Sequence, residues 1–189
     1  MNVRKKHIRK VVEALLDEHH ISAAPVPVEE IAERQGATIR QQPTEDSLSG
    51  FLFKDRATGT AIIGVNKDHS PTRKRFTVAH ELGHLMLHSY EQIHVDKAGY
   101  GAGYGLVKLR SDLSSTGLDS EEVEANFFAA EILMPLRLLE EELTKQPTLN
   151  MLDESSFNAA LKSMSKTFKV SPQALNIRLV QLGLLDVGY

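Results

Sequence analysis

The chain has 189 residues, eight His, no Cys, no Trp and a formal net charge of -3. A length in the ~100–200 residue range favours a single domain large enough to bury a core without staples. The absence of Cys excludes disulfides, thiolate zinc fingers, iron–sulfur clusters and Cys nucleophiles, and the near balance of acid and base disfavours a bulk polycation for nucleic acid. The opening MNVRKKHIRKVVEALLDEHH has a basic start, but Glu13 and Asp17 interrupt its apolar run, so no signal-peptide core forms. No segment approaches the roughly 18 apolar residues of a membrane span, and a cytoplasmic, non-membrane protein is expected.

Ile8, Val11, Val12, Leu15 and Leu16 recur at helical spacing and predict an amphipathic helix over 3–19. Its basic cluster, Arg4, Lys5, Lys6, Arg9 and Lys10, reads first as a solvated face, with an anionic partner as the alternative. Pro25 and Pro27 break the chain before a short helix from Val28 to Gln35, and Gly36 suits the position after its end. Three strand-like runs follow, Ala37–Gln41, Leu48–Lys54 and Thr60–Asn66, the last two joined by turn residues as a hairpin.

Ser70 and Pro71 then start the helix PTRKRFTVAHELGHLMLHSY, apolar over much of its surface and therefore buried. Residues 91–117, with AGYGAGYG at 98–105, read as a long mobile loop. Further helices are predicted from Asp119 to Met134, from there to Lys145, and at 154–167 and 171–184. Helices, a small sheet and more helices make an α+β architecture with a mixed or antiparallel sheet, divided at residues 1–150 and 151–189.

His80-Glu81-Leu82-Gly83-His84 is H-E-x-x-H inside the strongest of these helices. Imidazoles at i and i+4 lie about 6 Å apart on one helix face, so both can reach one Zn²⁺ at about 2.0–2.1 Å. Glu81 stands one residue on, placed to serve as general base toward water without being a ligand. His88 sits about 12 Å from His80 along the axis at ~1.5 Å per residue, too far to share the ion, so a supporting place beside the ligands is expected. The extended pattern with a third His fails, because Leu87 and Tyr90 occupy the Gly and His positions.

The third ligand must come from elsewhere. DSEEVEANFFAAEILMP offers Glu121, Glu122, Glu124 and Glu131. Glu122 and Asn126 form an i,i+4 pair beside the core stripe of Val123 and Phe127, which puts a carboxylate on the metal and an amide on a ligand imidazole. Glu121 is the alternative ligand, and a capping box with Asp119 is the structural alternative for Glu122.

The segments RKRFTVAHELGHLMLH (73–88) and EVEANFFAAEILMP (122–135), with IIGVN (62–66) and VPVEEIAERQGATIR (26–40), resemble the ImmA/IrrE family of metallo-endopeptidases. The resemblance implies a zincin-like (gluzincin-like) fold, one Zn²⁺ on His80, His84 and Glu122 with Mn²⁺ as a substitute in vitro, and Glu81 as general base. It also implies a helix-turn-helix repressor of the Xre type, encoded nearby, as substrate. Cleavage then relieves repression in DNA-damage, mobile-element or phage-defence programmes, and single-stranded DNA triggers some members.

For substrate binding, a strand at the sheet edge can pair with an extended peptide, and Ile62, Ile63, Gly64, Val65 and Asn66 are the candidate, with an ordinary interior strand as the alternative. Tyr90, His94, Tyr100 and Tyr104 are candidate oxyanion donors, with loop surface or packing as the alternative for each and none singled out. The last two helices resemble a helix-turn-helix, but the final one offers Gln173, Asn176, Arg178 and Gln181 with a single cation, so packing on the rest of the chain or docking of a repressor outweighs DNA reading. Two rival functions remain at this stage. One is a DNA-binding regulator with a structural zinc, and the other is a module that sequesters a partner without cutting it.

Overall fold

A computed structural model describes residues 3–43, 48–54, 58–88, 93–97, 117–145 and 154–185. In chain order the elements are α1 (Lys5–Glu18), α2 (Val28–Arg34), β1 (Ala37–Gln42), β2 (Leu48–Lys54), β3 (Ala61–Asn66), α3 (Pro71–Leu87), β4 (Ile93–Lys97), α4 (Gly117–Leu133), α5 (Leu136–Thr144), α6 (Glu154–Phe168) and α7 (Pro172–Gln181). The architecture is α+β. None of the described helices is long and apolar enough to cross a membrane.

The sheet is mixed, in the order β1-β3-β2-β4. β3 runs parallel to β1 and antiparallel to β2, and β4 runs antiparallel to β2. This corrects the expected role of Ile62–Asn66. Both edges of β3 are already paired, so it has no free backbone to offer a peptide. Ala61, Ile63, Gly64, Val65 and Asn66 are buried, as an interior strand requires. It also corrects part of the predicted loop at 91–117, since residues 93–97 form β4. The rest of that loop, including AGYGAGYG, lies outside the described residues.

α3 begins as its sequence predicts. The Ser70 side chain accepts a hydrogen bond from the Arg73 amide at 3.4 Å, and Pro71 opens the helix. From Arg75 to His84 every residue is buried. α4 is equally enclosed, buried without a break from Glu124 to Leu133, and its buried Glu124, Asn126 and Glu131 each meet a polar side chain from another element. α3 and α4 lie against each other through Gly83, which faces Ala125 and Phe128.

α1 covers α4 with Ile8, Val12, Leu15 and Leu16, all buried. Its basic residues are not merely a solvated face. Arg4 pairs with Glu124 and Arg9 with Glu131, at 3.0 Å in the second case, while Lys5 and Arg9 each sit 5.6 Å from the Phe127 ring. Glu124 and Glu131 on α4 are the anionic partners of Arg4 and Arg9, while Lys6 and Lys10 are exposed.

The last helices pack back on the same element. Ser171 caps α7 by accepting from the Ala174 amide at 3.1 Å. Arg178, only 1% exposed, donates to both Glu131 carboxylate oxygens at 3.1 and 2.7 Å and to the Met134 carbonyl at 3.3 Å. Arg178 is the only cation between 172 and 185, so α7 presents no exposed positive charge to a phosphate backbone.

Candidate metal centre

His80 and His84 point from one face of α3 with their Nε2 atoms 2.9 Å apart and their rings edge to face, centroids 4.6 Å apart. Glu122 approaches from α4. Its Oε2 is 3.3 Å from His80 Nε2 and its Oε1 3.2 Å from His84 Nε2. Among the described residues this is the group of His, Asp and Glu side chains whose ligand atoms converge, all within 4.8 Å of one another.

The donor set fits a divalent ion. With bonds of about 2.0–2.2 Å, two ligand atoms on one zinc stand no more than ~4 Å apart, and the two imidazole nitrogens, and the nearer Glu122 oxygen to each, fall within that limit. Two imidazoles and one carboxylate match the composition of a catalytic site, which keeps a position for water or substrate. The histidines are almost wholly buried, and the Glu122 side chain at 21% exposure marks the side open to solvent.

Each ligand imidazole is oriented through its other nitrogen. His80 Nδ1 lies 3.2 Å from Asn126 Oδ1, one turn beyond Glu122 on α4. The amide oxygen accepts the proton, which leaves His80 Nε2 with its lone pair toward Glu122. Phe76 stacks on the same ring, centroids 6.4 Å apart. His84 Nδ1 lies 3.1 Å from His88 Nδ1, and His88 Nε2 lies 3.2 Å from Glu124 Oε2. His88 therefore stands behind the ligands rather than among them.

Glu81 is fully buried on α3. β2 crosses directly above it: a Cβ on Gly50 would lie 3.5 Å from Glu81 Oε1, but only 2.3 Å from the Thr77 methyl and 2.8 Å from the Gly64 carbonyl oxygen. Only glycine lets the strand come this close.

The remaining acidic candidates divide cleanly. Glu121 lies outside the converging group, with its charge felt by Arg4 and His88. Glu124 serves His88 and Arg4, and Glu131 serves Arg9 and Arg178. The helix already runs from Gly117, so Asp119 is inside its first turn rather than before it, and a capping box ending on Glu122 has no place. Tyr90, Tyr100 and Tyr104 lie outside the described residues, and His94 is known here only by its place on β4. Sequence reasoning missed Gly50, Gly83 and Arg4. The two glycines are visible only as close approaches, and no local pattern ties Arg4 to a carboxylate so far along the chain.

Residues 32–180 match the model of the peptidase M78 family, described as the IrrE N-terminal-like domain. The search of curated proteins gave no match.

Proposed function

The chain belongs to the ImmA/IrrE (peptidase M78) family, and on that premise we propose that its metallopeptidase-like domain is a zinc-dependent endopeptidase acting on a specific protein. The observation that carries this reading is the convergence of His80, His84 and Glu122 from two helices, with Glu81 beside them in H-E-x-x-H.

Zinc supplies Lewis acidity, lowering the pKa of water from about 15.7 to roughly 7. The chain's own residues do the rest. Glu81 takes the proton of the attacking water as its oxygen bonds to the peptide carbonyl carbon. It then delivers that proton to the amide nitrogen as the C–N bond breaks, so no net proton is gained or lost. Burial excludes bulk water around Glu81, which strengthens its interaction with charge developing nearby. Asn126 holds the His80 ring in register for this work.

The substrate edge we assign is β4. It flanks β2, the strand that crosses Glu81, and pairs on one side only among the described residues. An extended peptide adding to its outer edge would extend the sheet that packs on the metal helix through β2 and β3.

The substrate class we favour is a helix-turn-helix repressor of the Xre type encoded nearby. Its cleavage would relieve repression in a DNA-damage, mobile-element or phage-defence response, with single-stranded DNA as the activating ligand. The sequence resemblance motivates this choice, and the buried Arg178 weighs against direct DNA reading by α7.

The test is incubation of the purified protein and zinc with the neighbouring gene's product, with and without single-stranded DNA, read by mass spectrometry. One cut is expected, lost in Glu81→Gln while zinc stays bound. Full cleavage by Glu81→Gln would overturn the mechanism. An intact partner recovered in stable complex would favour sequestration instead.

A further inference from the structure

A line of hydrogen bonds enters the metal centre from Arg4, the residue immediately before α1. The Arg4 backbone N–H donates to Glu124 Oε1 at 2.9 Å, its Nε to the same oxygen at 3.0 Å, and its Nη2 to Oε2 at 2.5 Å. The same Nη2 lies 3.5 Å from the Leu87 carbonyl at the end of α3. Arg4 thus joins the two helices that bear the metal ligands, although it precedes the matched residues 32–180.

The contacts along this line fit one direction of donation. Arg4 places three N–H donors on the Glu124 carboxylate, which can only accept, so His88 Nε2 is the donor in the 3.2 Å contact. A neutral His88 then offers its Nδ1 lone pair to His84 Nδ1, 3.1 Å away. The same direction is the one a metal requires, since a ligand imidazole keeps its proton on the nitrogen turned away from the ion.

We propose that Arg4, Glu124 and His88 are positioning residues that lock His84 in its Nδ1–H tautomer and so present its Nε2 to the metal. The inference rests on the metallopeptidase reading of that site. Asn126 does the same for His80 in one step; His84 is served by a relay of three residues that reaches the half-exposed Arg4.

The experiment uses the full chain and five variants: His88→Phe, Glu124→Gln, Arg4→Gln, Arg4→Lys and, as reference, Glu81→Gln. Zinc affinity is measured by competition with a chromophoric chelator. Long-range proton–nitrogen NMR of the metal-free protein reports which nitrogen of His84 holds the proton.

His88→Phe is expected to weaken zinc by about 10–100-fold, the usual cost of removing such a partner, and to shift the His84 proton off Nδ1. Arg4→Gln, at a half-exposed position, should move both readouts the same way by less, with partial recovery in Arg4→Lys. Glu81→Gln should change neither. Unchanged affinity and tautomer in His88→Phe and Arg4→Gln overturn the inference, as does a lowered melting temperature with the His84 tautomer intact. A wild-type chain that binds no zinc, yet shows the His84 proton on Nδ1 and loses it in His88→Phe, supports the relay and overturns the metallopeptidase reading instead.

Discussion

Gly83 on α3 meets the backbone of α4 so closely that a Cβ built on it would stand 3.2 Å from the Cα of Ala125 and 3.1 Å from the Phe128 ring. This contact sets the spacing between the helix that carries His80 and His84 and the helix that carries Glu122. Gly83→Ala would gain up to about 1 kcal/mol of helix propensity. It must also force two backbones apart, and overpacking of this kind costs about 1–3 kcal/mol. We expect the cost to win. Urea denaturation should show a lower midpoint, and chelator competition a weaker zinc site, because Glu122 moves away from the imidazoles. Unchanged values in both measurements would mean that the helices yield without cost.

Asn126 should matter through its acceptor oxygen alone. Asn126→Ala removes the partner of His80 Nδ1, 3.2 Å away, and is expected to weaken zinc by about 10-fold or more. Asn126→Asp keeps an acceptor there and should retain most of the affinity. Equal losses in the two variants, read by the same chelator competition, would show that the amide serves packing instead.

The Glu131–Arg178 pair ties the final helix to α4 out of contact with water. Arg178→Met leaves Glu131 buried with only Arg9 beside it, and breaking a buried pair in this way costs about 3–5 kcal/mol. Arg9 should hold the loss near the lower end. The double variant Arg178→Met/Glu131→Leu removes the stranded charge and should recover much of the stability. Denaturant titration of the two variants distinguishes a charge effect from simple loss of volume.

Acid should loosen α1. The Glu124 carboxyl is held at about 2, below its ordinary 4.5, by Arg4 and His88, with Glu121 adding negative charge toward both partners. The folded chain therefore binds this proton less tightly than the unfolded one. The contribution is complete above about pH 4.5 and is lost as pH falls toward 2. Glu124→Gln should be less stable than the parent at neutral pH and show a shallower decline across that window, followed by urea midpoints. Parallel declines would place the acid sensitivity elsewhere.

The local elements were legible because their signals are local. Ser70-Pro71 and Ser171-Pro172 mark helix starts, and His80 and His84 sit one turn apart in any helix. The Glu122–Asn126 spacing needs only that the segment be helical. The sheet order was less accessible, since β1 and β3 pair in parallel across an intervening strand and no turn announces it. A cue was nonetheless present. AIIGV is a nearly continuous apolar run, which suits a strand covered on both sides better than an edge. β4 is short, and its alternation of Ile93 and Val95 with His94 and Asp96 runs for only two cycles. The Arg4–Glu124 contact spans 120 positions, so only the folded chain brings it together.

That contact bears on where this protein begins as a physical object. The family's pattern starts at residue 32, whereas Ile8, Val12, Leu15 and Leu16 are already part of the shared core. Trimming the chain to the matched span would uncover the apolar side of α4, strip Glu124 and Glu131 of an arginine each, and leave the His88 relay without its outer anchor. The unit of homology and the unit of folding have different edges here, and a fragment cut along the first would not inherit the stability of the second.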